Sequence, residues 1–271
     1  MERKEFEHLM TPAATRAEAY ERLSEVVEIL RVHCPWDRVQ TRESLRPGMI
    51  EEAYEVCEAI DTGDVDNLRE ELGDVMLQVV FHSMIADENG EFSAVDVINE
   101  ECEKMIRRHP HVFLEQEAKT VDKVLEKWEN IKVQEHGEER HTDRLTSVPK
   151  ALPALIRARK VQKRAADIGF DWDDPEGAFE KLTEETRELK EASLEADLEH
   201  IREELGDLLF SVVNVARFLD VDPENALERA TEKFTERFGK MEDRARLEGK
   251  DLKDMSLSEM DDLWDRAKAE E

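Results

Sequence analysis

The hexapeptide REELGD stands at Arg69–Asp74 and again at Arg202–Asp207, 133 residues later. Ahead of each copy lies a second acidic run, EEAYE at Glu51–Glu55 and EETRE at Glu184–Glu188, at the same separation. Residues three apart share a helix face, so Glu52 aligns with Glu55 and Glu71 with Asp74. Between them DTGDVD (Asp61–Asp66) offers a glycine turn and an N-cap in Asp64. An antiparallel helix hairpin closed at that turn sets Glu55 beside Glu71 and Glu52 beside Asp74. In the second half the turn falls in ASLEADLE (Ala192–Glu199), with Asp197 as the cap. There the hairpin gathers Glu185, Glu188, Glu204 and Asp207.

The repeat extends beyond the acidic motifs. EKMIRR (Glu103–Arg108) matches EKFTER (Glu232–Arg237), pairing Lys104 and Arg108 with Lys233 and Arg237. WENIK (Trp128–Lys132) matches WDRAK (Trp264–Lys268), and CPWD at Cys34–Asp37 answers FDWD at Phe170–Asp173. Five landmarks in one order in both halves indicate an internal duplication. About one residue in four is acidic, so a single ExxE…ExxD means little; its recurrence with the same neighbours carries the argument. The polar run HGEERHTDRLTSVPKALP (His136–Pro153) lacks periodicity and reads as a linker. The expected organisation is a domain at 1–136, a linker at 137–152 and a domain at 153–271.

Both halves read as helix. ATRAEAYERLSEVVEILRVH (Ala14–His33) and LREELGDVMLQVVFHSMIA (Leu68–Ala86) show apolar residues recurring at three and four. Only 10 Gly and 8 Pro interrupt 271 residues, and 39% apolar content suffices for a core. The fold class is all-α. A glycine inside a helix costs about 1 kcal/mol against alanine. Gly73 and Gly206, each directly before the aspartate, are therefore expected to let a neighbouring helix or ligand come close.

A net charge of −29 argues against nucleic-acid and anionic-membrane partners. Most of that acidity reads as solvated helix faces, ahead of a salty cytoplasm or bound cations. The three cysteines, Cys34, Cys57 and Cys102, form no CxxC pair, which fits a reducing compartment without structural zinc. The N-terminal segment lacks the apolar core of a signal peptide, and no run approaches the ~18 apolar residues of a membrane span. A cytoplasmic location is expected.

Four gathered carboxylates must either take up protons or bind cations. Oxygen-only ligation suits Mg²⁺, with Mn²⁺ able to replace it, rather than zinc. No histidine follows these acids at the ExxH spacing of di-iron bundles, and His82, His109 and His111 read as surface or capping residues. Carboxylate-held Mg²⁺ commonly serves phosphates. A nucleoside triphosphate adds about four negative charges, so two or three ions plus side-chain cations would be needed. KxxxR and WxxxK supply such cations at helical spacing, and their recurrence favours ligand binding over surface ion pairs. Asn214 lies seven residues after Asp207 where the first half has Phe81. An amide can read a base edge, so the C-terminal site is favoured as the active one.

Taken together, CPWDRVQTRESLRP, EEAYEV, REELGD, RRHPHVF, KVQKRAADIGFDW and EKFTERF resemble the MazG family of nucleoside triphosphate pyrophosphohydrolases, over nearly the whole chain. Gly48, after Pro47, departs from the aromatic that relatives tend to carry. The resemblance implies two tandem helical domains forming four-helix bundles completed by homodimerisation. It implies Mg²⁺-dependent cleavage of nucleoside triphosphates to monophosphate and pyrophosphate, by metal-activated water attacking the α-phosphorus. The implied metal ligands are Glu185, Glu188, Glu204 and Asp207, with Glu52, Glu55, Glu71 and Asp74 as counterparts. Glu185 or Glu188 would take the proton. Lys233, Arg237, Trp264 and Lys268 would contact substrate, with Lys104, Arg108, Trp128 and Lys132 as their first-half equivalents. A dUTPase-like enzyme of narrower base selection and a non-enzymatic acidic scaffold are the alternatives.

Overall fold

The computed structural model describes residues 3–114, 120, 121, 123, 124, 127, 128, 131, 135, 140–195 and 197–269. Among them there is helix and no strand. No helix among them is long and apolar enough to cross a membrane. The chain divides into two compact units, Met1–Lys132 and Val133–Glu271.

In the first unit, α1 (Arg16–His33), α2 (Arg42–Thr62), α3 (Val65–Glu88), α4 (Ala94–Arg108) and the single turn α5 (Pro110–Phe113) follow in order. Capping boxes start α1 at Thr15, α2 at Thr41 and α4 at Ser93, each satisfying backbone N–H groups that have no partner inside the helix. Gly63, at φ 70°, ends α2 in the left-handed conformation that glycine adopts without strain. Asp64 then caps α3, its carboxylate accepting from the N–H groups of Asp66 and Asn67 at 3.1 and 3.0 Å. The hairpin expected from the sequence is thus built, and α2 packs on α3 more extensively than on any other helix. Val27, Leu45, Val80, Phe81 and Ile85 form the core beneath it, with Tyr20, Leu23, Leu77 and Met84 around them.

The second unit holds α6 (His141–Thr146), α7 (Ala154–Ala166), α8 (Pro175–Glu195), α9 (Leu198–Phe218), α10 (Pro223–Leu247) and α11 (Leu257–Lys268). The α8–α9 hairpin repeats α2–α3, and Asp197 caps α9 through the Glu199 N–H at 3.0 Å. Buried positions recur with the motifs: Leu45, Ala59 and Val80 correspond to Ala178, Ala192 and Val213, all below 9% exposed. A second core of Met241, Ala245 and Leu263 joins α10 to α11. The polar stretch expected as a linker includes α6, which is tied to α7 by Arg164: its guanidinium donates to the Arg144 carbonyl and to Ser147 Oγ. Those guanidinium bonds, one to backbone and one to a side chain, give structure to a segment without apolar periodicity, which is why periodicity did not find it.

Replacing Asp64 by alanine removes the N-cap of α3 and should cost about 1 kcal/mol. A urea titration should show the lower midpoint with an unchanged slope.

Candidate active site

Each hairpin brings its glutamates together. Carboxylate oxygens of Glu52, Glu55 and Glu71 lie within 4.8 Å of one another, and so do those of Glu185, Glu188 and Glu204. The expected pairing across the hairpin is visible in the charges: Glu55 raises the Glu71 carboxyl, and Asp74 raises that of Glu52. Asp74 and Asp207 do not join the trios at that distance. They border them, as residues one helical turn beyond Glu71 and Glu204.

The two trios are surrounded differently. In the first, burial raises the Glu52 carboxyl above its ordinary value, and the charges of Asp74 and Glu55 add to this. Glu71 is raised by desolvation and by Glu55. The Gln78 amide bonds to Glu52 and opposes the shift. The Gln78 side chain occupies the space beside Gly48, where a Cβ would lie 2.8 Å from its Nε2. Its Oε1 is shielded from solvent and accepts no hydrogen bond from any described residue.

In the second trio Glu185 is only 4% exposed. Lys181, one turn earlier on α8, places Nζ 2.6 Å from Glu185 and 3.3 Å from Glu184. Arg187 lies 3.3 Å from Glu188, although its shorter contact, 2.8 Å, is to Glu191. His200 Nε2 lies 3.2 Å from Glu204, and its pKa is raised by its bond to Glu195 and then by Glu204. A histidine therefore does reach this cluster, from four residues before a glutamate rather than three after. Lys181, His200 and Gln78 escaped the sequence reading because it sought features common to both halves, and these differ.

The expected substrate residues form separate groups. Arg108 stacks over Trp128 at 5.6 Å and Arg237 over Trp264 at 5.8 Å, with Phe234 5.1 Å from the Trp264 ring. His109 packs edge-on against Trp128 at 4.7 Å, and its Nδ1 bonds the Met105 carbonyl at the end of α4, a capping role. Lys104 pairs with Glu101, and Lys268 is exposed. Lys132 lies outside the described residues. Shallow grooves of about 590 Å³ and about 360 Å³ follow Lys104 and Lys233 at the same helical register. Asn214 is held by Arg217, whose Nε donates to its Oδ1 at 2.9 Å while the rest of the guanidinium grips Asp171 at 2.6 and 2.8 Å. The amide therefore helps hold the FDWD loop. Among the described residues, nothing beyond their own helix backbone lies within 4 Å of where a Cβ would stand at Gly73 or Gly206, so the close approach expected there is not made by these residues.

The donors fit a hard divalent cation. The ligand atoms are all oxygens, and they lie within 4.8 Å of one another, close enough to share an ion. An all-α hairpin carrying such a trio, in duplicate, defines a helical protein with two acidic oxygen clusters able to hold a cation. The MazG nucleotide pyrophosphohydrolase domain matches residues 40–113 and again 174–241, and the chain belongs to that family. A nucleoside triphosphate pyrophosphohydrolase/pyrophosphatase MazG of Thermotoga maritima is 49% identical over 92% of this chain and 95% of its own length. A nucleoside triphosphate pyrophosphohydrolase of Escherichia coli is 41% identical over 88% and 91%. The crystal structure of a mazG-related protein from Thermotoga maritima aligns with 41% of this chain and 97% of its own at 29% identity, with a TM-score of 0.38.

A carboxyl raised in the folded state binds protons that the unfolded chain releases. Stability is then fully present while it is protonated and falls as pH rises from the ordinary glutamate value of 4.5 through the raised one. In metal-free protein, Glu52→Gln should therefore raise the melting temperature at pH 7 by about 2–4 °C, the shift that roughly 1 kcal/mol produces at this size. It should also flatten the pH slope, as read by differential scanning calorimetry.

Proposed function

We propose that the chain hydrolyses nucleoside triphosphates to the monophosphate and pyrophosphate with Mg²⁺, Mn²⁺ substituting. The duplicated glutamate trio, with oxygens within 4.8 Å, is the observation that carries this reading. Glu185, Glu188, Glu204 and Asp207 would hold the metal in the C-terminal unit; Glu52, Glu55, Glu71 and Asp74 would hold it in the N-terminal one. Bound Mg²⁺ supplies a water of lowered pKa and neutralises charge on the phosphates. Glu185 or Glu188 accepts the proton of the attacking water, and the burial of Glu185 limits competing solvent there. Lys233, Arg237 and Lys268 face the phosphates and Trp264 the base. Lys104, Arg108, Trp128 and Lys132 have the same part in the first unit. The Asn214 amide nitrogen, opposite the oxygen engaged by Arg217, is left to meet a base.

Incubation with each common triphosphate and with dUTP, followed by ³¹P NMR, should show monophosphate and pyrophosphate. Diphosphate plus phosphate would sink the α–β assignment, turnover of dUTP alone would mark the narrower enzyme, and no turnover would leave a scaffold. If the C-terminal site does the chemistry, Glu185→Ala should lower kcat by at least about 100-fold, while Glu52→Ala leaves most of it.

A homodimer completes this proposal. Each hairpin exposes the same apolar row, Leu72, Met76 and Val79 in the first unit and Leu205, Leu209 and Val212 in the second. Two helices bury one face of each other; a four-helix bundle made with a second copy would cover these rows. Light scattering should give twice the 31.5 kDa chain mass, and Met76→Glu combined with Leu209→Glu should return it to one.

A further inference from the structure

The two carboxylate trios differ in the one residue that stands four before their most enclosed glutamate. In the second unit this is Lys181, with its ammonium 2.6 Å from Glu185. In the first it is Gly48, which has no side chain, and the neutral Gln78 amide fills the space. The other partners differ in the same sense: Arg187 beside Glu188 corresponds to Tyr54. Among the described residues, no basic side chain pairs with Glu52, Glu55 or Glu71.

We infer that Lys181 is a tethered counter-ion that competes with divalent metal for the second trio, so that the first trio binds free metal more tightly. This rests on the metal-site reading above and adds an order of affinity to it. A cation entering the second trio must displace an ammonium that bonds a carboxylate only 4% exposed. Such a contact lies in lower dielectric than water and is stronger for it. A cation entering the first trio has no such ammonium to displace, because Gly48 carries no side chain and the neutral Gln78 amide stands beside it. The first trio is therefore a resident-metal site. The second fills when further negative charge arrives, and the phosphates of a nucleotide bring it, so the metal enters there together with its nucleotide.

The test uses Mn²⁺ alone with the full chain, free ion being counted by its EPR signal. Wild type should show two classes of site whose dissociation constants differ by about tenfold or more. Glu52→Gln with Glu55→Gln should remove the tight class, and Glu185→Gln with Glu188→Gln the weak one. Lys181→Met keeps the stem and removes the charge; it should tighten the weak class by about tenfold, and Lys181→Gln should do the same. The reverse graft, Gly48→Lys with Gln78→Ser, reproduces the Lys181 and Ser211 pair of the second unit and should weaken the tight class. Circular dichroism confirms that each variant keeps its helix content. Equal affinities in wild type, or no tightening on removing the Lys181 charge, would overturn the inference and leave the metal sites standing. No Mn²⁺ binding at either trio would overturn both.

Discussion

Like-charge repulsion between glutamates held on facing helices is the constraint around which the rest of this molecule is arranged. The α2–α3 and α8–α9 hairpins fix three carboxylates within reach of one ion, and a folded chain tolerates that only with help. The two halves use different help. In the first, burial and mutual repulsion raise the Glu52 and Glu71 carboxyls and an amide stands beside Glu52; in the second, a lysine, an arginine and a histidine stand alongside. The hairpins themselves are stabilised away from this strain, by Asp64 and Asp197 at the caps and by Val80 and Val213 in the interior.

Duplication shows which features the architecture demands and which it leaves free. Recurring features are of two kinds: the buried small and apolar residues that let paired helices approach, and the acids that face the site. The partners of those acids are not constrained by helix packing. Gly48 and Lys181 stand at the same helical position, and the nearest atoms to a Cβ at Gly48 belong to the flexible end of Gln78. Two copies of one hairpin can thus hold the same ligands and offer a cation very different electrostatic environments.

The basic and aromatic residues tell a related story. Arg108 over Trp128 and Arg237 over Trp264 show guanidinium and indole already stacked within their own units. The stacks hold side chains that would otherwise be mobile, lowering the ordering cost when a ligand arrives. The grooves beside Lys104 and Lys233 repeat in register, as do the exposed apolar rows of the hairpins. Each unit therefore presents an acidic cluster, then an uncovered apolar row, then a groove lined by side chains of both charges.

Helix class, the two hairpins, their caps and the pairing of Glu55 with Glu71 were legible in the sequence, because helical period and motif spacing are local quantities and the repeat supplied a control. Sequence also placed a glycine before each aspartate, but it could not say that the space beside Gly73 and Gly206 stays open among the described residues. Three-dimensional structure alone decided the rest. Asp74 and Asp207 fall outside the tightest grouping, Arg217 engages Asn214 together with Asp171, and α6 folds onto α7 without an apolar pattern. It also decided which neighbours neutralise each trio. Lys181 is one of many lysines in the chain until α8 turns its ammonium onto Glu185, and direction and distance of that kind depend on helix packing rather than residue order.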